Sequence, residues 1–137
     1  MHTSDLAPEL YWLTLTVLMT ALMWVPYVVN RVIEQGVGRV LWDPAGTTKT
    51  KVGWAERMMR AHTYAVENLV VFAPLVLTLK LAGISNEFTV AACATYFFAR
   101  LAHYLIFTLG IPLLRIPTFA VGVTAQLVLA STLLGWA

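Results

Sequence analysis

Charge is what this sequence has least of. Only 12% of its 137 residues are Asp, Glu, Lys or Arg, about half the usual share of roughly 25%. Apolar residues make up 59%, against roughly 45–50% in ordinary soluble domains. A short chain has a high surface-to-volume ratio, and so few polar side chains cannot cover it. A water-soluble globular domain is therefore excluded. Disorder is excluded as well, because disordered chains are polar and highly charged. A single cysteine, Cys93, rules out an intrachain disulfide framework and a cysteine-cage zinc site, and no metal is expected. A net charge of +2 is too small for a nucleic-acid footprint. What remains is an integral membrane protein, its partner the lipid bilayer, with residues 1–137 as one membrane domain.

What is present is a set of hydrophobic spans. The first, about 10–29, carries no charge, and twenty residues at about 1.5 Å each cross about 30 Å of hydrocarbon. Asp5 and Glu9 precede it and no Lys or Arg does, so it is not expected to be a cleaved signal peptide. The second span has an uncharged run of only eleven residues, Leu69 to Leu79. Its helix is expected over about 54–80, drawing in Glu56, Arg57, Arg60, His62, Glu67 and Asn68, with a kink at Pro74. The third covers about 88–109 and contains Arg100 and His103. The fourth covers about 112–136, with Arg115 at its entrance and Gln126 as its only strongly polar side chain. Residues 31–53, with their glycines and Pro44, read as a loop. Four helices with short turns imply an up-down-up-down bundle in an all-α membrane fold. Gly122, Ala125, Ala120 and Ala130 form a small-residue surface suited to close packing, including an oligomer interface.

Basic residues set the expected orientation. Arg31, Arg39, Lys49, Lys51, Arg57, Arg60 and Arg115 fall on one side and Lys80 alone on the other. The positive-inside rule puts the first side, with the loop at 31–53, in the cytoplasm and both termini opposite.

Ionisable residues at membrane depth are expensive and need a partner or a watery cavity. Here they form stripes. Arg57, Arg60, Tyr64 and Glu67 fall at steps of three, four and three, one face of a helix, and Asn68 widens it. Tyr96, Arg100, His103 and Phe107 fall at steps of four, three and four, a second face. Together they describe a cationic pocket between helices, suited to a small anion. The alternative is a set of satisfied ion pairs, Glu67 with Arg60 or Arg100, that only hold the bundle together. Four arginines (57, 60, 100 and 115) face two glutamates (56 and 67), and that excess favours an anion. His62 and His103 are read as hydrogen-bonding groups rather than haem ligands, and Cys93 as packing.

The segment Glu56-Arg57-Met58-Met59-Arg60-Ala61-His62, followed by Glu67-Asn68, resembles the signature of the membrane-associated proteins in eicosanoid and glutathione metabolism, the MAPEG family. So does Ala99-Arg100-Leu101-Ala102-His103-Tyr104, with Gly110-Ile111-Pro112 and Leu114-Arg115 beyond it. The short, apolar chain looks like a bacterial-type member. The resemblance implies a four-helix protomer, a homotrimer in a bacterial inner membrane, and glutathione as co-substrate between subunits near the cytoplasmic face. It implies that Arg60 and Glu67, with Asn68 beside them, bind the tripeptide. Arg115 would activate the thiol, and Arg31 would contribute from a neighbouring subunit. Arg57, Arg100, His103, Tyr64 and His62 are further candidates for the pocket. The family usually has Asn where this chain has Tyr64, and a tyrosine is common where it has Phe107.

The function so implied is a glutathione transferase or peroxidase acting on a small lipophilic electrophile. Two other classes stand beside it. One is a small ion-coupled transporter with Glu67 as its intramembrane acid. The other is a non-catalytic member of the same fold, which Tyr64 and Phe107 favour.

Overall fold

The computed structural model describes residues 6–38 and 53–136. Among these the chain forms five helices and no strand: α1 (Pro8–Leu22), α2 (Trp24–Gln35), α3 (Gly53–Ala82), α4 (Glu87–Leu109) and α5 (Arg115–Leu134). α1 and α2 run on as one 28-residue span, so that four helices are long and apolar enough to cross a membrane. The chain is thus the all-α, four-span membrane bundle that its composition calls for. The turns at 83–86 and 110–114 are short enough to make successive spans antiparallel. α4 packs against α1, α3 and α5, and α5 packs chiefly on α4.

The first span differs from the sequence reading. It continues to Gln35 rather than ending near Val29, so residues 31–35 are helix and not loop. It is also interrupted at Met23, whose N–H turns back to the Thr20 carbonyl at 3.3 Å. Pro26 explains the break. It offers no N–H to the carbonyl four residues earlier, and its ring crowds that carbonyl. Gly36 ends α2 at φ 83°, a conformation L side chains resist. Val37 and Gly38 are helical as well, Gly53 opens the next helix, and residues 39–52 of the expected loop, with Arg39, Lys49 and Lys51, lie outside the described residues.

α3 has 30 residues and carries Pro74 inside it. At about 1.5 Å per residue it measures about 45 Å, half as long again as the hydrocarbon layer. Its first turns, with Glu56, Arg57 and Arg60, therefore reach headgroup depth. α4 starts on a capping box in which the Asn86 side chain accepts from the Phe88 and Thr89 N–H groups at 2.9 and 3.0 Å. The Thr89 hydroxyl accepts from the Asn86 N–H in return. The fourth span begins at Arg115, so residues 112–114, expected as its first turn, belong to the preceding turn.

Two apolar clusters fill the bundle. One joins Leu13, Phe72, Val76, Leu79, Cys93, Tyr96 and Leu129, with the Phe72 and Tyr96 rings stacked 3.8 Å apart. The other joins Met23, Met58, Ala61, Ala65 and Tyr104. Outward positions such as Val70, Leu81, Phe88 and Leu127 stay exposed and apolar, as lipid contact requires. Gly122 and Ala125 are buried within the protomer. A Cβ on Gly122 would stand 3.7 Å from the Arg100 side chain and 3.9 Å from Ala99. These two small residues therefore serve the α4–α5 contact inside one chain, the close helix packing expected of them.

Candidate anion site

The site is built around Arg100, which is 2% exposed. α4 carries it inward, and α5 packs over its aliphatic stem at Gly122. Nη2 of Arg100 lies 3.4 Å from Nδ1 of His103, one turn along the same helix. Its guanidinium carbon sits 5.9 Å from the Phe119 ring centroid on α5, within cation–π range. Its Nε is buried and has no hydrogen-bond partner.

Aromatic rings wall this cation. The His103 ring, itself buried, lies 5.7 Å from Phe107, 6.0 Å from Phe119 and 6.5 Å from Tyr64. Tyr64 of α3 meets Phe107 edge-on at 5.6 Å. A second guanidinium, that of exposed Arg115, stands 5.6 Å from the Phe107 ring centroid. The result is a pair of cations on one aromatic cage where α3, α4 and α5 meet.

A polar ladder backs the cage. Gln126 donates through Nε2 to the Asn68 carbonyl at 3.1 Å. Asn68 in turn donates through Nδ2 to the Tyr64 carbonyl at 2.8 Å. This ladder fixes the phase of α3 against α5 and so the place of the Tyr64 ring.

The candidate residues divide into three groups. Arg100, His103, Tyr64 and Arg115 come together, with Asn68 in support. Arg60 and Glu67 are exposed on α3. Arg60 pairs with Glu56 at 3.0 Å, the two side chains 63% and 50% exposed, and such a pair is worth about 0–1 kcal/mol. Among the described residues no ion pair joins Glu67 to Arg60 or Arg100. The remaining candidates are engaged elsewhere. Arg57 donates from Nε to the Thr108 carbonyl at 3.0 Å, satisfying an orphan carbonyl at the end of α4 with a cation where the helix dipole favours one. A Cβ at Gly110 (φ 74°) would stand 3.1 Å from that nitrogen. His62 has Nδ1 2.7 Å from the Tyr27 hydroxyl. Arg31 is half-buried on α2.

Phe119 is a wall of the site that the sequence reading does not single out. Its signal is its place four residues after Arg115, on the same face of α5. Gln126 stands out as polar in the sequence, but its link to Asn68 does not, because the partner is a backbone carbonyl on another helix.

The MAPEG family model matches residues 10–135, nearly the whole chain. The chain belongs to the MAPEG family, membrane proteins of eicosanoid and glutathione metabolism. No curated protein and no solved structure matches it.

Proposed function

We propose that this MAPEG-family chain binds glutathione in the cationic cage and activates its thiol toward a lipophilic electrophile. The observation that carries the reading is Arg100. A buried guanidinium with an unpartnered Nε and no carboxylate against it is costly, and a bound anion removes that cost. Arg115 supplies the second cation. A thiol with a pKa near ~8.5 is mostly protonated at neutral pH, and the thiolate is the nucleophile. Arginine keeps its charge in an apolar site, so a guanidinium facing the sulfur favours the thiolate. The thiol proton passes to solvent, the sulfur bonds to the electrophilic carbon, and the pair of the broken bond departs with the leaving group.

Arg60 is held only by an exposed pair and is free to exchange Glu56 for a peptide carboxylate. Glu67 would meet the peptide amine, and Asn68, His103 and Tyr64 would frame it. A membrane helix that exposes Glu67 calls for a cover, which supports self-association; the homotrimer, with Arg31 arriving from a neighbour, is what the family resemblance implies. An apolar groove of about 390 Å³ between α4 and α5, lined by Phe88, Ala91, Thr95, Ala120 and Thr124, supports an apolar second substrate entering from lipid. The basic end of the bundle would face the cytoplasm of a bacterial cell, both termini lying opposite.

Calorimetric titration of the purified protein with glutathione, beside Arg60→Ala and Arg115→Ala, tests the reading. Saturable binding that weakens in the Arg60 variant upholds it. No binding to folded protein at millimolar glutathione overturns it. One observation favours a non-catalytic member: Phe107 gives the cage a ring but no hydroxyl. Binding without turnover across a panel of electrophiles would establish that reading. Glu67 lies on an exposed face rather than in the bundle interior, which gives no support to a proton-coupled carrier.

A further inference from the structure

The break in the first span has side-chain attendants from two other helices. Tyr104 of α4, buried, donates its hydroxyl to the Met23 carbonyl at 2.8 Å. His62 of α3 reaches the segment just past the break. Its Nδ1 lies 2.7 Å from the Tyr27 hydroxyl on α2, and in the neutral tautomer protonated on the other ring nitrogen that hydroxyl donates to Nδ1. The two rings pack 5.8 Å apart. Proline breaks in membrane helices persist where neighbouring helices support them, and here Tyr104 holds the chain at the break and His62 holds it one turn beyond.

α2 depends on them. None of its residues is buried, and its main packing partner among the described helices is α3, with less against α1. Little apolar burial fixes its angle, so directional hydrogen bonds must. Arg31 stands eight residues beyond Met23 on this segment.

We infer that His62 and Tyr104 are positioning residues that latch the break at Met23, hold α2 at one angle to α3, and thereby place Arg31. The latch stands on the geometry; the consequence for Arg31 rests on the glutathione reading above. The ring of His62 is thereby a strut rather than a ligand contact.

Two measurements test this separately. Nitroxide labels at Ile33 on α2 and Val70 on α3, both exposed, are introduced into a Cys93→Ala background and diluted with unlabelled chain. Pulsed electron spin resonance then gives the distance distribution without any ligand. One narrow population is expected in the latched chain, and a broadened or shifted one in His62→Ala and Tyr104→Phe. Tyr27→Phe, which removes the hydroxyl that holds His62, should match His62→Ala, and His62→Gln, which keeps an acceptor for that hydroxyl, restores the narrow population. An unchanged distribution in the His62→Ala/Tyr104→Phe double variant overturns the latch. The second measurement is glutathione turnover. His62→Ala should lower it as Arg31→Ala does, and the His62→Ala/Arg31→Ala double variant should match the single ones within about two-fold. Additive losses overturn the link to Arg31. Absence of turnover and binding in the parent sinks the glutathione reading and leaves the spin-label result for the latch intact.

Discussion

Glu9 and Arg100 are both charged and both buried, 4% and 2% exposed, yet their surroundings differ. One oxygen of Glu9 accepts from the Ser85 hydroxyl at 2.6 Å and from the Thr89 hydroxyl at 2.8 Å. That carboxylate clasps the start of α1 to the turn between α3 and α4. Arg100 has a histidine at 3.4 Å, rings around it and an unpartnered Nε. A buried charge whose hydrogen bonds are made within the chain is a structural part. One whose hydrogen bonds are left open is prepared for something outside the chain.

Perturbing each end separates the two roles. The largest effect is expected at Arg115. Its replacement by Ala should lower glutathione turnover by about 10²–10³-fold, the range for removing one group that stabilises a developing anion. Binding should survive in part, and thiolate absorbance of bound glutathione should fall. Turnover equal to the parent would move thiol activation to another residue.

Arg100→Met comes next and carries the comparison. Charge-assisted hydrogen bonds are worth about 1.5–3 kcal/mol, so glutathione affinity should fall about 10- to 100-fold by calorimetry. Thermal stability without ligand should hold or rise, because an apolar group of similar length replaces a buried unpaired charge. A marked loss of stability would class Arg100 with Glu9.

Glu9→Ala should do the opposite. It removes the acceptor shared by the Ser85 and Thr89 hydroxyls and should cost about 0.5–1.5 kcal/mol, read as a lower unfolding midpoint, while glutathione affinity stays near the parent value. The smallest effect is expected at Arg57. Arg57→Ala removes the cation at the end of α4, worth about 0.3–1 kcal/mol. A large loss of glutathione affinity there would return Arg57 to the binding set.

Much of this is legible in the residues. The scarcity of charge and the lengths of the spans specify an all-α membrane bundle. The signature around Arg60, Glu67, Arg100 and Arg115 points to the family, which the match over residues 10–135 bears out. The step pattern of α4 places Arg100 and His103 on one face, and both are buried. The pattern of α3 is less informative. Arg57, Arg60, Tyr64 and Glu67 share a stripe, yet Arg57 caps another helix, Arg60 and Glu67 are exposed, and Tyr64 alone reaches the cage. Pro26 stands inside the first apolar run, and a proline there signals a break. The expected end near Val29 nevertheless falls short of Gln35, because the polar residues after Val29 resemble a loop.

Hydrocarbon solvent explains the division. It tolerates so few sequences and so few backbone shapes that composition and span length alone determined a four-span helical membrane protein. Helical periodicity determined which residues lie together on a face. Which face a neighbouring helix covers depends on packing between segments distant in the chain. Only the tertiary structure decided that Arg100 would pack at Gly122, that Gln126 would find the Asn68 carbonyl, and that His62 would serve a broken helix. Each of those outcomes turns on a contact between two elements, and no single element's sequence contains it.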